Sequence, residues 1–224
     1  MVIINIKRKK AMSNRLFKTL LLAVLSGVFP VDIAICQENH GMTDREAIDK
    51  MRDRDLQPEK IMDAIKLAPG MTAGEAGASY GYFTFRMSKR IGNSGILYAN
   101  DIDTAALRLI AERCKSEKII NIKIVSGVED DPHFPVKNLD MVVVFDCLFE
   151  FSQPQRWMLN TRKYLKPGGR LVIVDPDQSK MGGSSHFLSR KQIKGFGLAA
   201  GYQPIEVDDS FLKSHMIIVL KLPE

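Results

Sequence analysis

The stretch TAGEAGASYGYFTFRMSKRIGNSGILYANDID, from Thr72 to Asp103, decides the fold of this 224-residue chain. Its pattern predicts a strand, a tight glycine turn, a helix and a second strand that ends in an acid. Gly77 and Gly81 stand where a side chain would block a ligand from approaching the backbone, and the following helix directs its N-terminal amides toward that ligand. Asp101, twenty residues after Gly81, lies where a carboxylate can bridge the hydroxyls of a ribose. The stretch therefore predicts a cradle for a nucleotide cofactor.

The spacing of the small residues in the turn separates two classes of cofactor. A dinucleotide-binding turn has the pattern G-x-G-x-x-G, whereas residues Glu75 to Gly81 read E-x-G-x-S-x-G. This frame resembles the first motif of the Rossmann-like, class I S-adenosylmethionine-dependent methyltransferases. It favours S-adenosylmethionine over a nicotinamide cofactor. Two residues depart from the family pattern, because Ser79 replaces the middle glycine and Tyr80 replaces a common small residue.

Further segments between Gln57 and Leu222 follow the order of that family. QPEKIMDAIKLAPGMT resembles its lead-in helix, GVEDDPHFPVKNLDMVVVFD its adenine loop and fourth strand, and YLKPGGRLVIVD its next helix, turn and fifth strand. The segments SRKQIKGFGLAAGYQPIEV and SHMIIVLKL suit a helix and a terminal hairpin. The resemblance implies an α/β fold, a Rossmann-like three-layer α/β/α sandwich whose seven-stranded sheet is mostly parallel with the last strand antiparallel.

The hydrophobic pattern supports the same architecture. Alternating strands and helices predict a parallel sheet with right-handed crossovers. The run MVVVF lacks polar alternation, as expected of a central strand that is covered on both faces. Strands are expected at Met71 to Ala76, Ile96 to Asn100, Ile122 to Val125, Met141 to Phe145 and Leu171 to Val174, and a final hairpin at Pro204 to Val207 and Met216 to Leu220.

The length and charge of the chain limit the number of domains and the classes of binding partner. A chain of this length suits one domain. Of the 32 basic residues six lie before residue 37, as does one of the 26 acids, which leaves 26 bases and 25 acids in residues 37–224. This near-neutral body argues against binding to nucleic acid, and no N-P-P-Y-like segment follows the fourth strand. We therefore expect a small-molecule or lipid-like acceptor; the sequence leaves the oligomeric state open.

Residues 1–36 have the pattern of a secretory signal peptide. A basic stretch to Lys18 precedes the apolar run LLLAVLSGVFPV, and small and apolar residues continue to Cys36. The run is about a dozen residues, short of the ~20 that span a bilayer. We predict cleavage after Cys36 and export to the periplasm or medium, with transient membrane contact; the alternative is an N-terminal membrane anchor. Residues 37–56 are interpreted as a lead-in segment and residues 57–224 as the methyltransferase domain.

The resemblance assigns cofactor-binding roles to residues at the carboxyl ends of the strands, where ligands bind in open parallel sheets. Glu75 would order the methionine end of S-adenosylmethionine. Gly77, Ser79 and Gly81 would shape the turn around that end. Asp101 would accept hydrogen bonds from the ribose hydroxyls, and its charge would strengthen them.

The adenine end is expected beside the loop after the third strand. Glu129 or Asp130 could accept a hydrogen bond from the exocyclic amine, and the sequence does not choose between them. Ile102 could pack on the purine face or in the core. Asp146, which follows the fourth strand, completes the predicted cofactor-binding set.

Catalytic residues are less well defined by the sequence. Alignment of the reactants supplies much of the rate of methyl transfer, so a general base is needed only for some nucleophiles. Glu150 and His186 are candidates for moving a proton, although isolated residues of these types are more often structural or solvated. The loop DPDQSKMGGSSHFLS, residues 175–189, could cover a substrate or serve as a plain connection. The cysteines and histidines show no ligand spacing, so no metal site is predicted.

A second reading of the chain belongs to another functional class. Ser79 in the turn, Phe149 at a position where close relatives look to have histidine, and the predicted export all depart from an ordinary cytosolic enzyme. They motivate the alternative of a catalytically degenerate, exported cofactor-binding or scaffold protein that keeps a methyltransferase fold.

Overall fold

The computed structural model describes residues 45–224. The predicted signal peptide lies outside the described residues. The chain divides into two units, Met1–Ile48 and Asp49–Glu224, and of the first unit only residues 45–48 are described, as part of a helix. Within the described range, no helix has both the length and the apolar character needed to cross a bilayer.

Helices and strands alternate through most of the described chain. All seven predicted strands are present, and the fifth is longer than predicted because the segment before it also extends along the sheet. In chain order the elements are α1 (residues 45–56), α2 (Pro58–Ala64), β1 (Thr72–Ala76), α3 (Thr84–Ile91), β2 (Ile96–Asp101), α4 (Thr104–Ser116), β3 (Ile122–Ser126), β4 (Leu139–Phe145), α5 (Pro154–Thr161), β5 (Leu165–Pro176), α6 (Arg190–Ala199), β6 (Gln203–Ile205) and β7 (His215–Lys221). Short 3₁₀ helices lie at Leu148–Glu150 and Arg162–Tyr164.

The seven strands form one sheet in the order β3-β2-β1-β4-β5-β7-β6. β1 pairs in parallel with both β2 and β4, and β7 runs antiparallel to β5 and β6. The predicted fold class is therefore confirmed. The chain builds outward from β1 in one direction and then restarts at β4 in the other, so the topological switch point lies between these two strands. Ligands of open α/β sheets bind at such a point.

Apolar side chains form a core on each face of the sheet. The central strand β4 supplies both, because Met141, Val143 and Phe145 point into one core and Val142 and Val144 into the other. The first core contains side chains of α2, α3 and α4, and the second contains side chains of α5 and α6. The absence of polar alternation in MVVVF is thus explained by burial on both faces.

The first strand is packed around a glycine. A Cβ built at Gly74 would lie 2.5 Å from Cζ of Phe134, whose buried ring packs against Tyr98 and Tyr164 with centroid distances of 6.4 and 5.6 Å. The aromatic ring fills the volume that a β-branched residue would otherwise occupy in β1. Burial rather than strand propensity therefore stabilises this strand, as its composition predicted.

Substitution of Gly74 tests this packing. Gly74→Ala should lower the free energy of unfolding by about 1–3 kcal/mol, because the added methyl overpacks the core against Phe134. Gly195→Ala in α6 is the matched control, since a Cβ there meets no atom within 4 Å; it should raise stability by ~0.5–1 kcal/mol. Urea unfolding of both variants makes the measurement, and equal midpoints for Gly74→Ala and the parent would contradict the packing argument.

Candidate functional site

A cavity of about 580 Å³ opens at the carboxyl ends of β1, β2 and β4, at the switch point of the sheet. Its volume lies within the range of small-molecule sites. The lining combines the glycine turn, the acids that end the strands, and side chains of α1 and of the segment after β4. The lining residues are Arg52, Glu75, Gly77, Ala78, Ser79, Tyr80, Tyr82, Phe83, Asn100, Asp101, Ile102, Asp103, Ala106, Val128, Glu129, Phe145, Asp146, Cys147, Glu150, Phe151, Ser152 and Trp157.

The turn after β1 reverses the chain through the left-handed region of backbone space. Gly77 has φ +77° and Ser79 has φ +47°. Glycine adopts such a conformation freely, whereas a serine pays roughly 1–2 kcal/mol. A hydrogen bond of 2.7 Å from the Ser79 amide to Oδ2 of Asp101 holds the residue in place. The serine in the motif is therefore accommodated at a conformational cost.

The amides of this turn are engaged within the protein. Those of Gly77 and Ala78 both donate to the carbonyl oxygen of Asn100 at 2.9 Å, and that of Gly81 donates to the carbonyl oxygen of Ala78 at 2.8 Å. The amides of Gly77, Ala78 and Ser79 thus tie the end of β1 to the end of β2, and the amide of Gly81 closes the turn on itself. These four amides are consequently not available to a ligand.

Asp101 is held at the mouth of the cavity in a fixed orientation. Its Oδ2 accepts from the Ser79 amide and its Oδ1 accepts from the Asp103 amide at 2.9 Å. Asp103 in turn caps α4 by accepting from the amides of Ala105 and Ala106. Each carboxylate oxygen of Asp101 keeps a further lone pair, so the side chain can still accept hydrogen bonds from a diol.

Glu75 is buried at the end of β1 with 1% of its surface exposed. Neither its Oε2 nor the neighbouring hydroxyl of Thr84 makes a hydrogen bond of normal geometry in the described part of the chain. Burial raises the pKa of Glu75 to about 8, although the nearby Thr84 hydroxyl lowers it, and the Asp101 carboxylate adds to the rise. An unpartnered buried carboxyl that lines a cavity is costly unless a ligand supplies the missing donor.

Asp146 follows β4 and joins three parts of the chain. Its Oδ2 accepts a hydrogen bond of 2.8 Å from Nη2 of Arg52 in α1, and its Oδ1 lies 3.2 Å from Nε2 of His215 at the start of β7. Its own backbone is left-handed, with φ +58°. The sequence did not identify Arg52, which lies in the segment interpreted as lead-in, because its partner is 94 residues away.

Asp175 positions the segment after β4, and the sequence did not identify it either. It is buried, and its carboxylate accepts from the amides of Cys147, Leu148 and Phe149 at 3.0, 3.3 and 3.1 Å. Burial raises its pKa to about 7 in spite of these donors. The signal in the sequence was an acid placed directly after the apolar run LVIV.

On the side predicted for adenine, the structure brings some candidates to the cavity and not others. Ile102 is 60% exposed and lines the cavity, so it does not pack in the core. Val128 is 44% exposed and also lines it. Glu129 lies among the lining residues, whereas Asp130 lies outside them and pairs with Arg156 at 3.1 Å. The geometry therefore favours Glu129 of the two neighbouring acids.

Of the two catalytic candidates, only one lies at the cavity. Glu150 lines the cavity, but His186 does not. The His186 ring packs against Phe149 and Phe187 at centroid distances of 5.3 and 4.9 Å. Gly81 also lies outside the lining, and its φ of +85° and the Phe85 ring 2.5 Å from its missing Cβ give it a structural role in the turn.

The charge of the cavity is strongly one-sided. Six carboxyl groups line it, against a single cation, Arg52, among the described residues. The acids are Glu75, Asp101, Asp103, Glu129, Asp146 and Glu150. Within residues 45–224 there is no group of three or more His, Cys, Asp or Glu side chains arranged to hold a metal ion. The cavity is thus suited electrostatically to an organic cation.

Comparisons with known proteins bear on the domain and on the fold. Residues 74–169 match the family model described as a methyltransferase domain. The chain is 31% identical over 107 residues to demethylmenaquinone methyltransferase of Tropheryma whipplei (strain Twist), covering 47% of this chain and 44% of that protein. It is 24% identical over 115 residues to ubiquinone/menaquinone biosynthesis C-methyltransferase UbiE of Vibrio campbellii, covering 51% and 44%. The matched region is less than half the length of either relative.

Solved structures share the fold. A SAM-dependent methyltransferase from Aquifex aeolicus superposes with a TM-score of 0.69 at 20% identity, over 80% of this chain and 97% of that one. The [4+2]-cyclase SpnF superposes with a TM-score of 0.63 at 13% identity, over 75% and 80%. The predicted fold is confirmed, and the match to the methyltransferase domain model covers the segment 74–169 of this chain.

The buried state of Glu75 predicts how stability depends on pH. Folded Glu75 keeps its proton up to about pH 8, whereas an unfolded glutamate loses it near its ordinary pKa of 4.5. The folded state therefore binds more protons across this window, and its stability falls as the pH rises from 5 to 8. Asp175 contributes in the same direction up to about pH 7.

Glu75→Gln should remove its share of this dependence, so that the loss of unfolding free energy between pH 5 and pH 8 shrinks by about 2–4 kcal/mol. Urea unfolding at the two pH values makes the comparison. Glu129→Gln, at an exposed acid of the same cavity, should behave like the parent. If Glu75→Gln and the parent lost the same stability, Glu75 would not be buried in its protonated form.

Proposed function

We propose that this chain transfers a methyl group from S-adenosylmethionine to a small or lipid-like acceptor. The observation that carries the proposal is the buried, unpartnered carboxyl of Glu75 beside the oriented carboxylate of Asp101, at the switch point of a methyltransferase fold. An acidic cavity with an unsatisfied oxygen fits a ligand that carries positive charge and donor groups.

The residues of the cavity fit the parts of this cofactor. Glu75 would face its amino-acid end and Asp101 its ribose hydroxyls. Ile102 and Val128 offer exposed apolar surface for the purine, and Glu129 an acceptor for its amine. When bound, the cofactor supplies an electrophilic methyl group on a sulfonium. The protein's part is to fix the orientation of the reactants.

Glu150 is the group of the cavity best placed to move a proton of the acceptor. It lies on the 3₁₀ helix whose first amides are held by Asp175, so its backbone position is fixed. A carboxylate in this place can accept a proton from a hydroxyl or an acidic carbon as the nucleophile reacts. We assign it this role only for acceptors that must lose a proton.

A quinone-type ring is the first acceptor to test. Both curated relatives carry names that refer to menaquinone or ubiquinone precursors, and one of them names the methylated atom as carbon. The half-buried ring of Phe151 lines the cavity, and the half-buried ring of Phe149, which directly precedes the lining residue Glu150, packs on that of Phe187. Such surfaces suit a flat apolar acceptor.

A degenerate binding protein is the second candidate, and two observations favour it. Ser79 holds a strained backbone conformation in the cofactor turn, and SpnF has a similar fold although its name describes a cyclase. Fold likeness alone does not establish a reaction. This candidate expects cofactor binding without methyl transfer to any acceptor.

Calorimetric titration of S-adenosylmethionine and S-adenosylhomocysteine into the purified protein tests the site. Asp101→Ala should weaken binding by about 10–100-fold, because hydrogen bonds to a charged acceptor contribute roughly 1.5–3 kcal/mol. Asp208→Ala, at an exposed acid outside the cavity lining, should bind like the parent. Binding that survives Asp101→Ala unchanged would place the cofactor elsewhere. A labelled-methyl assay with demethylmenaquinone then separates the enzyme from the degenerate protein.

The N-terminal pattern supports a second proposal, that the protein is exported after cleavage behind Cys36. The basic stretch, the short apolar run and the small residues before Gln37 are the features that support it. Mass determination of the protein recovered from the periplasmic fraction should give a chain that starts at Gln37. A full-length chain in the membrane fraction would indicate the anchor instead.

A further inference from the structure

Arg52 stands out in the cavity because of its charge. It is the only cationic side chain among the described lining residues, and six acids surround the same space. Its side chain keeps 32% of its surface exposed, so the guanidinium is neither sealed in the protein nor free in solvent. Partial burial of a cation costs free energy unless the cation is paired with an anion, either of the protein or of a ligand.

The guanidinium of Arg52 has donors to spare. A guanidinium carries five N–H donors. Among the described residues its one hydrogen-bond partner is Asp146, which engages Nη2 at 2.8 Å. Asp146 is itself held through its other oxygen by His215 at 3.2 Å. Arg52 can therefore offer its remaining donors to a ligand without giving up Asp146.

The guanidinium of Arg52 packs on the aromatic ring of Tyr82, which limits its position. The Arg52 Cζ lies 4.0 Å from the centroid of the Tyr82 ring, and the Arg86 Cζ lies 4.2 Å from the same centroid. The Tyr82 hydroxyl donates to Asp53 at 2.9 Å, and Arg86 binds both oxygens of Asp53 at 2.7 and 2.8 Å. A stacked guanidinium keeps its edge free for planar, two-point recognition of a carboxylate.

Four amides of the glycine turn are already used as donors. Glycine turns often bind anions through their amides. In this turn the amides of Gly77, Ala78, Ser79 and Gly81 all donate to oxygens of the protein. These four amides therefore do not compete with Arg52 for a carboxylate that enters the cavity.

We propose that Arg52 binds the α-carboxylate of the methionine end of S-adenosylmethionine, with two N–H donors of its guanidinium. This inference rests on the proposed function. Glu75 faces the ammonium group and Arg52 the carboxylate, so that one acid and one base recognise the zwitterion. Asp146 and Tyr82 act as positioning residues for Arg52. The cavity then selects cofactors that carry the carboxylate against analogues that have lost it.

Decarboxylated S-adenosylmethionine isolates this contact, because it keeps the nucleoside, the sulfonium and the amine. The parent protein should bind S-adenosylmethionine about 10–100-fold more tightly than the decarboxylated analogue in calorimetric titrations. Arg52→Ala should lose about the same factor for S-adenosylmethionine and change its affinity for the analogue less than about threefold. Arg52→Lys keeps the charge without the planar fork, and should lie between the two.

Arg54→Ala is the control on the same helix, since Arg54 is exposed and outside the cavity lining; its affinities should match those of the parent. Equal affinity of the parent for the two ligands would overturn the inference without reference to any variant. Equal weakening of both ligands by Arg52→Ala would do so too, because it would show a role in folding rather than recognition. A folded parent that binds neither ligand would overturn the proposed function itself, and with it this inference.

Discussion

The close approach of the end of β1 to the end of β4 is the constraint on which the site depends. A Cβ on Gly77 would lie 2.3 Å from Sγ of Cys147, and the φ of +77° at this position favours glycine, so the turn beside the end of β4 is built for a residue without a side chain. The turn can then reach back to Asp101 through the Ser79 amide, and Glu75 faces the same space as the segment after β4. A residue larger than glycine at position 77 would strain the turn and displace the Cys147 side chain at the point where the ligand is to bind.

Two buried acids lie near the ends of the central strands, and the burial of their ionised forms costs stability. Glu75 and Asp175 are both almost fully buried, and burial raises the pKa of each, to about 8 and about 7. Asp175 accepts hydrogen bonds from three amides. These bonds offset part of the cost of its burial and fix the segment after β4. Glu75 has an oxygen without a partner. Perturbed ionisable groups gather at functional sites, and the unsatisfied one of these two marks the side from which a ligand approaches.

The features that could be predicted from the sequence are those that depend on residues close together along the chain. The strand segments, the glycine turn and the position of Asp101 follow from periodicity and from spacing within about thirty residues, and the resemblance to the methyltransferases adds the arrangement of the sheet and the role of Glu75. Arg52 and Asp175 were not predicted, since their roles depend on partners 94 and 26 to 28 residues away along the chain. The backbone of Ser79 is an intermediate case: the serine is visible in the sequence, but its φ of +47° and its hydrogen bond to Asp101 are visible only in the structure.

The protonated state of Glu75 carries a consequence for thermodynamic coupling. A ligand that places a positive charge beside this carboxyl favours its ionised form, so binding lowers its pKa and expels a proton into the buffer. Heats of binding near neutral pH will then include the ionisation heat of the buffer. The apparent affinity for a cationic ligand will rise with pH until Glu75 is ionised before binding. The site therefore releases one positive charge, the proton of Glu75, when it takes up a cationic ligand. The net charge of the complex is then lower than the sum of the charges of the free protein and the free ligand.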